Sequence, residues 1–443
     1  MKFLKNKTII ITIIFLSIIL STFVIIDKTK GTSRYNINKH DIVNYSLDIT
    51  GETDTSVQFQ KMMDSYPAGS TIKLPEGKYN FHNTVKLPDG IKLIASSDVK
   101  IIGTGKNTLF SIGNDNSFEG IAFQNCSTAI NVTQKKGLTV TNCRFTNKID
   151  FAGINLSGAI NSSITNSYFY DIRKYGILID NDSSNIKIDK NNFDNAKVFG
   201  GYSKEQISGH VYSLNGSKIS VTNNVLKNSG GQGVIFGYNS TTGKGTTNSV
   251  ASNNECEGNG QEGATIYGGS KKVTSGNSLI GNTCKNNRFN QIEVWEANNN
   301  IVKNNIVEES LANVGNLGAI CLYDTNGTTV NGNKVLSAQK NGIDITSGSK
   351  NCTITNNTIE NTNGKNDTNK VEMGNGILLD SNGKSQPQNI TIKGNKISSS
   401  SGIIAKSGIY STSNTNQHNK IDSNTITGYK IGLHDYAKKT IGK

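Results

Sequence analysis

Nine asparagines hold one position of a repeated pattern, and this regularity limits the fold more than any other feature of the chain. Segments such as LTVTNCRF (138–145), ISVTNNVL (219–226), NIVKNNIV (300–307) and ITIKGNKI (390–397) read apolar, polar, apolar, a small or Asn turn, then apolar. Aligned on that last apolar residue, the pattern recurs about twelve times: Phe123, Phe145, Phe169, Phe193, Leu226, Cys256, Cys284, Val307, Val335, Ile359, Ile397 and Ile426. Two residues earlier stand Asn191, Asn224, Asn254, Asn282, Asn305, Asn333, Asn357, Asn395 and Asn424. Equivalent residues of a parallel β-solenoid stack about 4.8 Å apart. At that spacing, stacked Asn amides can hydrogen-bond from coil to coil while tolerating a bent backbone.

A second strand follows in each coil and usually begins with glycine, as in Gly176-Ile-Leu-Ile, Gly233-Val-Ile-Phe, Gly342-Ile-Asp-Ile and Gly376-Ile-Leu-Leu. No helical 3.6-residue period separates the strands, which excludes leucine-rich and ankyrin repeats. Composition agrees: 46 Gly and 61 Asn in 443 residues are poor material for helix interiors and good material for turns. With only 4 Pro and 18% charged residues, the chain also lacks the profile of a disordered one. The sequence predicts an all-β parallel solenoid.

The N-terminus is a separate element. Lys2, Lys5 and Lys7 precede an apolar or hydroxyl-bearing run from Ile9 to Ile26. Eighteen helical residues span roughly 27 Å, close to a bilayer core. The expected division is 1–34 as signal anchor or signal peptide with a short linker, 35–117 as cap and first coils, and 118–443 as repeats. The flanking lysines favour a cytoplasmic N-terminus, which places the remainder outside, membrane-anchored or secreted. Residues 1–34 carry five Lys, one Arg and one Asp, a net of +5, which leaves +8 of the total +13 for the solenoid. No basic run with interleaved aromatics occurs, so nucleic acid is not an expected partner. A mildly basic exported domain suits a polysaccharide, acidic ones included.

The segments GETDTSVQFQ (51–60) and AGSTIKLPEGKYNF (68–81) resemble the opening of the pectate-lyase-like superfamily of parallel β-helix proteins. In that superfamily an acidic helix caps the first coil and a P-x-G-x-Y strand starts the solenoid. The resemblance covers roughly residues 41–436 and implies a right-handed, single-stranded β-helix with an N-terminal capping helix. Asp54 and Thr55 are N-cap candidates, and Val57, Phe59, Met62 and Met63 would cover the open end. The superfamily holds lyases, hydrolases, epimerases and non-catalytic proteins, so the resemblance leaves hydrolysis, β-elimination and epimerisation open, with a glycan-binding or surface-structural solenoid as the alternative. Signatures of the polygalacturonase type are absent, Gly209-His210 lacks the second Gly of GHG, and no catalytic residue carries over.

Candidate chemistry therefore comes from outward positions on the glycine-started strands. One column reads Ile235, Thr265, Glu293, Cys321, Asp344, Leu378, Tyr410, His434; the next reads Gly237, Tyr267, Trp295, Tyr323, Thr346, Asp380, Thr412, Tyr436. Tyr267, Trp295 and Tyr323 would form a sugar-binding platform, since rigid aromatic faces suit sugar C–H surfaces. Glu293, Asp344 and Asp380 are the catalytic candidates. Glu293 and Asp344 would sit about 9–10 Å apart and Asp344 and Asp380 about 8 Å apart, against the about 6.5–9.5 Å of inverting glycosidases. Elimination would instead need a uronate carboxylate neutralised by Arg288, a lysine or calcium, with His210 either a further candidate base and substrate contact or a satisfied structural histidine. No metal-ligand spacing appears among the cysteines and histidines. Cys256 and Cys284 occupy equivalent positions and could stack as buried thiols or pair as a disulfide.

Overall fold

The computed structural model describes residues 34–36, 44–195, 208–311, 317–364, 373–383, 385–400, 405–412 and 418–435. The Ile9–Ile26 run and Tyr436 lie outside them. Among the described residues, no helix is long and apolar enough to cross a membrane.

Each coil turns through three short strands. The first joins a 15-stranded parallel sheet, and the other two stack coil upon coil into the remaining walls. Coil 278–295 shows the plan: Ser278–Ile280 in the first wall, Thr283–Lys285 in the second and Ile292–Trp295 in the third. The only antiparallel pairing among the described strands is the small hairpin Tyr238–Asn239 with Lys244–Gly245. About fifteen turns are thus present, rather than twelve. The extra ones precede Phe123, where Tyr79 and Ile101 continue its column. Their corners carry Gly77 and Val99, and the apolar–polar–apolar–turn–apolar pattern on which twelve coils are counted begins only at Phe123.

The nine asparagines form the ladder that their spacing predicts. All but Asn424 are buried. Asn282 shows the bonding: its Oδ1 accepts from Asn254 N (3.0 Å) and Nδ2 (2.9 Å), while its Nδ2 donates to Asn305 Oδ1 (3.0 Å) and Ala251 O (2.9 Å). The left-handed backbone falls one residue earlier, at Asn223, Asn253, Gly281, Asn304, Gly332, Asn356 and Gly394. Asn and Gly adopt that conformation cheaply, which explains the frequent Asn-Asn and Gly-Asn pairs.

Inside, apolar residues of successive coils meet face to face. Phe123, Phe145, Phe169 and Phe193 stack with centroids 4.9, 4.5 and 4.4 Å apart. Cys256 and Cys284 are register partners and stand as buried free thiols. The helix Ser56–Ser65 closes the N-terminal end. Asp54 Oδ1 caps it by accepting from Ser56 N (2.9 Å), whereas Thr55 makes no side-chain cap bond. Phe59, Met62 and Met63 are fully buried against the first coils, but Val57 is 48% exposed and covers nothing.

Candidate functional site

The third wall carries both outward columns in the register that alternation predicts. Thr265 pairs with Glu293, Glu293 with Cys321 and Cys321 with Asp344. In the neighbouring column Tyr267 pairs with Trp295, Trp295 with Tyr323, Tyr323 with Thr346 and Thr346 with Asp380. These positions alternate with the interior ones, yet Thr265, Glu293, Cys321 and Asp344 are all buried.

A cleft of about 720 Å³ opens on this wall, lined by Tyr212, Leu214, Gln232, Ile235, Tyr238, Ser240, Gln261, Glu262, Thr265, Tyr267, Phe289, Glu293 and Trp295. Three of the sequence candidates, Tyr267, Glu293 and Trp295, meet there. Tyr238, from the 237–248 excursion, sets its ring edge against Tyr267 with centroids 5.3 Å apart. Trp295 stacks on Tyr323 at 3.7 Å and 10°. Burial, followed by the Tyr238 hydroxyl, pushes the Tyr267 phenol up to about 12.

The group that sequence reasoning missed is Glu262. It precedes the strand Ala264–Tyr267, and extending that strand's register back by two residues aligns it with Gln232 in the preceding coil and Asn290 in the next. Gln232 Nε2 donates to Glu262 Oε2 (3.1 Å), and Asn290 Nδ2 donates to Glu293 Oε1 (2.6 Å). The two carboxyls therefore come from adjacent coils, Glu262 held by an amide of the preceding coil and Glu293 by one of its own. Burial raises the Glu262 carboxyl to about 7. It raises Glu293 well above the carboxylate range, and the neighbouring Glu262 charge adds to the effect. Two like charges in a poorly solvated cleft resist joint ionisation, so the pair keeps a proton near neutrality.

Glu262 stands one residue before the glycine that starts its strand, and the outward columns were read only from that glycine onward. The outer face continues past it because the wall bends inward there. A Cβ on Gly263 would lie 2.7 Å from Asn287 Nδ2 and 2.8 Å from Gln291 O. The usable signal was an acidic residue directly before a strand-opening glycine.

The other candidates fall elsewhere. Asp344 and Asp380 do not line the cleft. Asp344 is 2% exposed, and burial, then the charge of Asp380, pushes its carboxyl up to about 7. Asp380 Oδ1 accepts from Ser381 N (2.8 Å) and Thr412 Oγ1 (2.9 Å). Arg288 is half-buried outside the lining, its guanidinium 5.6 Å from the Phe289 centroid.

His210 corrects the expectation of a substrate contact or base. It lies on the interior side of the wall, 1% exposed, with its ring 5.4 Å from Phe193. Its Nε2 donates to Lys227 O (2.6 Å), and burial pushes its pKa down to about 4. A neutral imidazole there fills the core corner that Gly176 and Gly233 occupy in the adjoining coils. Among the described residues, no three His, Cys, Asp or Glu side chains gather as a metal would require.

Comparison with known proteins places this architecture. The family profile described as right-handed beta helix region matches residues 89–247 and 242–426. Among solved structures, the mannuronan C-5 epimerase A-module of Azotobacter vinelandii aligns at TM-score 0.54 and 15% identity, covering 92% of this chain and 100% of that one. DFA-IIIase from Arthrobacter chlorophenolicus aligns at 0.56 and 15%, covering 73% and 94%. The Streptococcus pneumoniae surface protein and adhesin PfbA aligns at 0.50 and 16%, covering 89% and 99%. At such identities the likeness concerns the fold alone. No curated protein matches the sequence. On the profile match, the coil stacking and the opening segments together, the chain belongs to the right-handed β-helix family, with the pectate-lyase-like parallel architecture.

Proposed function

We propose that this protein is a glycoside hydrolase that cuts a polysaccharide held in the Tyr267–Trp295 cleft, with Glu293 as general acid and Glu262 as its ionised partner. One observation carries the proposal: two carboxyl groups from adjacent coils meet in an aromatic-walled cleft, where burial and mutual repulsion keep one of them protonated. Glycoside hydrolysis needs that asymmetry, an acid to protonate the leaving oxygen and a carboxylate to activate water or attack carbon. Repulsion acts equally on both, but the Glu262 carboxylate is held by Gln232 and its own backbone N–H whereas Glu293 has Asn290 alone, so Glu293 is assigned the proton. Trp295 and Tyr267 supply apolar faces for the sugar rings.

The solenoid's place outside the cytoplasm belongs to the same proposal and rests on Lys2, Lys5, Lys7 and the Ile9–Ile26 run. Protease treatment of intact cells expressing the full chain tests it: digestion of the solenoid is expected, and protection contradicts export.

The catalytic assignment is tested by new reducing ends from a polysaccharide panel. Glu293→Gln and Glu262→Gln are each expected to lower turnover by about 10²–10⁴-fold. Unchanged turnover in both variants would overturn the assignment.

A further inference from the structure

The polar groups left without partners in the cleft say what its ligand must offer. Gln232 and Thr265 line the cleft, and Gln232 Oε1 and Thr265 Oγ1 are buried with no hydrogen-bond partner. An amide oxygen only accepts. The Gln232 Nε2 is already engaged with Glu262 and Gln261, so the amide orientation that leaves Oε1 open is the one these acceptors select. The two carboxyls add further acceptor oxygens. The lining contains no Lys, Arg or His.

We infer, resting on the hydrolase proposal above, that the cleft takes an uncharged, hydroxyl-rich glycan and rejects uronate and sulfated chains. Sugar hydroxyls can donate to Gln232 Oε1, to Thr265 Oγ1 and to whichever carboxyl is ionised. A uronate brings a carboxylate that can only accept, into a cleft that already holds acidic groups and no cation. Its burial there leaves one negative charge uncompensated beside another. The basic surplus of the chain does not relieve this, because none of it lines the cleft. Of the two basic side chains near the aromatic strands, Lys272 pairs with Asp324 at 2.7 Å, and Arg288 is not among the lining residues although its guanidinium lies 5.6 Å from the centroid of the lining ring Phe289. Epimerisation and β-elimination, both of which start from a uronate, are disfavoured at this cleft for the same reason.

The experiment uses matched polymers that differ only in charge: polygalacturonate and its carboxyl-reduced galactan, and polyglucuronate and the corresponding glucan. Retention of the full chain is measured by affinity electrophoresis, with reducing-end release from each polymer recorded in parallel. A neutral member is expected to retain the protein at least about 100-fold more strongly than its uronate counterpart, the scale of one unpaired charge in a buried site. Glu262→Gln with Glu293→Gln is expected to narrow that preference, because it removes the resident negative charge. Thr265→Val is expected to weaken retention on the neutral polymer about tenfold while leaving the fold's thermal transition in place. Retention on a uronate polymer, retention on neither member, or a preference unmoved in the double variant would overturn the inference. The two proposals fail separately. Cleavage of a uronate polymer that leaves no unsaturated uronate end sinks this inference and leaves hydrolysis standing, cleavage that leaves one sinks both, and neutral retention without cleavage sinks hydrolysis alone.

Discussion

A carboxyl group at 2% exposure, with one oxygen lacking any hydrogen-bond partner, resists ionisation, and Asp344 is such a group. Its folded-state pKa of about 7 stands above the ordinary 3.8. The sign follows from linkage: the folded protein binds the proton more tightly than the unfolded chain. The stability it contributes is complete below about pH 3.8 and is lost as pH rises through about 7. Asp344→Asn, uncharged throughout, is therefore expected to stabilise the protein increasingly between pH 4 and 8, by up to about 4 kcal/mol at the alkaline end. Urea midpoints at the two pH values check this, and a variant equally or less stable at pH 8 would contradict it. The same residue shows where sequence stops. Alternation gave its face and its stacking partners correctly, but burial by other segments is a tertiary fact. The approach of Glu262 to Glu293 was equally hidden, because it depends on a bend at Gly263 that period-two alternation does not contain.

At the scale of the element, the corner ladder was the most legible feature. One residue type at one repeat position has a direct physical cause, and the bonds follow from it. Asn282→Ala removes an acceptor for Asn254 and a donor for Ala251 O and Asn305 Oδ1, all buried. The expected loss is about 2–4 kcal/mol in chemical denaturation, because the orphaned partners stay desolvated. Replacing exposed Asn304, in the left-handed conformation one residue before the ladder, by Gly is expected to change stability by under about 1 kcal/mol. Equal losses at the two positions would contradict the ladder as the main corner support. The first coils, with Gly77 and Val99 at this corner, depart from the repeated pattern that begins at Phe123, so a count made on that pattern falls short of them. At the inward corner where His210 sits, sequence left a base and a structural histidine both open. Two consecutive residues, His210 and Val211, both face the interior, which strand alternation does not foretell.

Across the whole molecule, a solenoid distributes stability between neighbouring coils, so damage at one end should remain there. Phe59 is the anchor of the capping helix, with edge contacts to Tyr79, Phe81 and Phe110 at 6.0, 5.0 and 6.4 Å. Phe59→Ala is expected to cost about 3–5 kcal/mol at the cap. In amide exchange, coils before about Phe145 should lose protection while coils beyond Ala251 keep theirs, and uniform loss would argue against nearest-neighbour coupling. The cleft lies several coils from that cap, on parallel strands stacked in register. Rigid neighbouring strands can there hold Glu262 and Glu293 in fixed relation, the preorganisation that acid–base catalysis requires.

The hydrolase proposal puts the chemistry on the Glu262–Glu293 pair and not on the Asp344–Asp380 region of the same wall. Reducing-end release from a neutral polysaccharide, measured for Glu293→Gln and Asp380→Asn side by side, separates the two. Glu293→Gln is expected to lower release by about 10²–10⁴-fold and Asp380→Asn to change it by no more than about threefold. Activity that survives Glu293→Gln and disappears with Asp380→Asn would contradict the proposal.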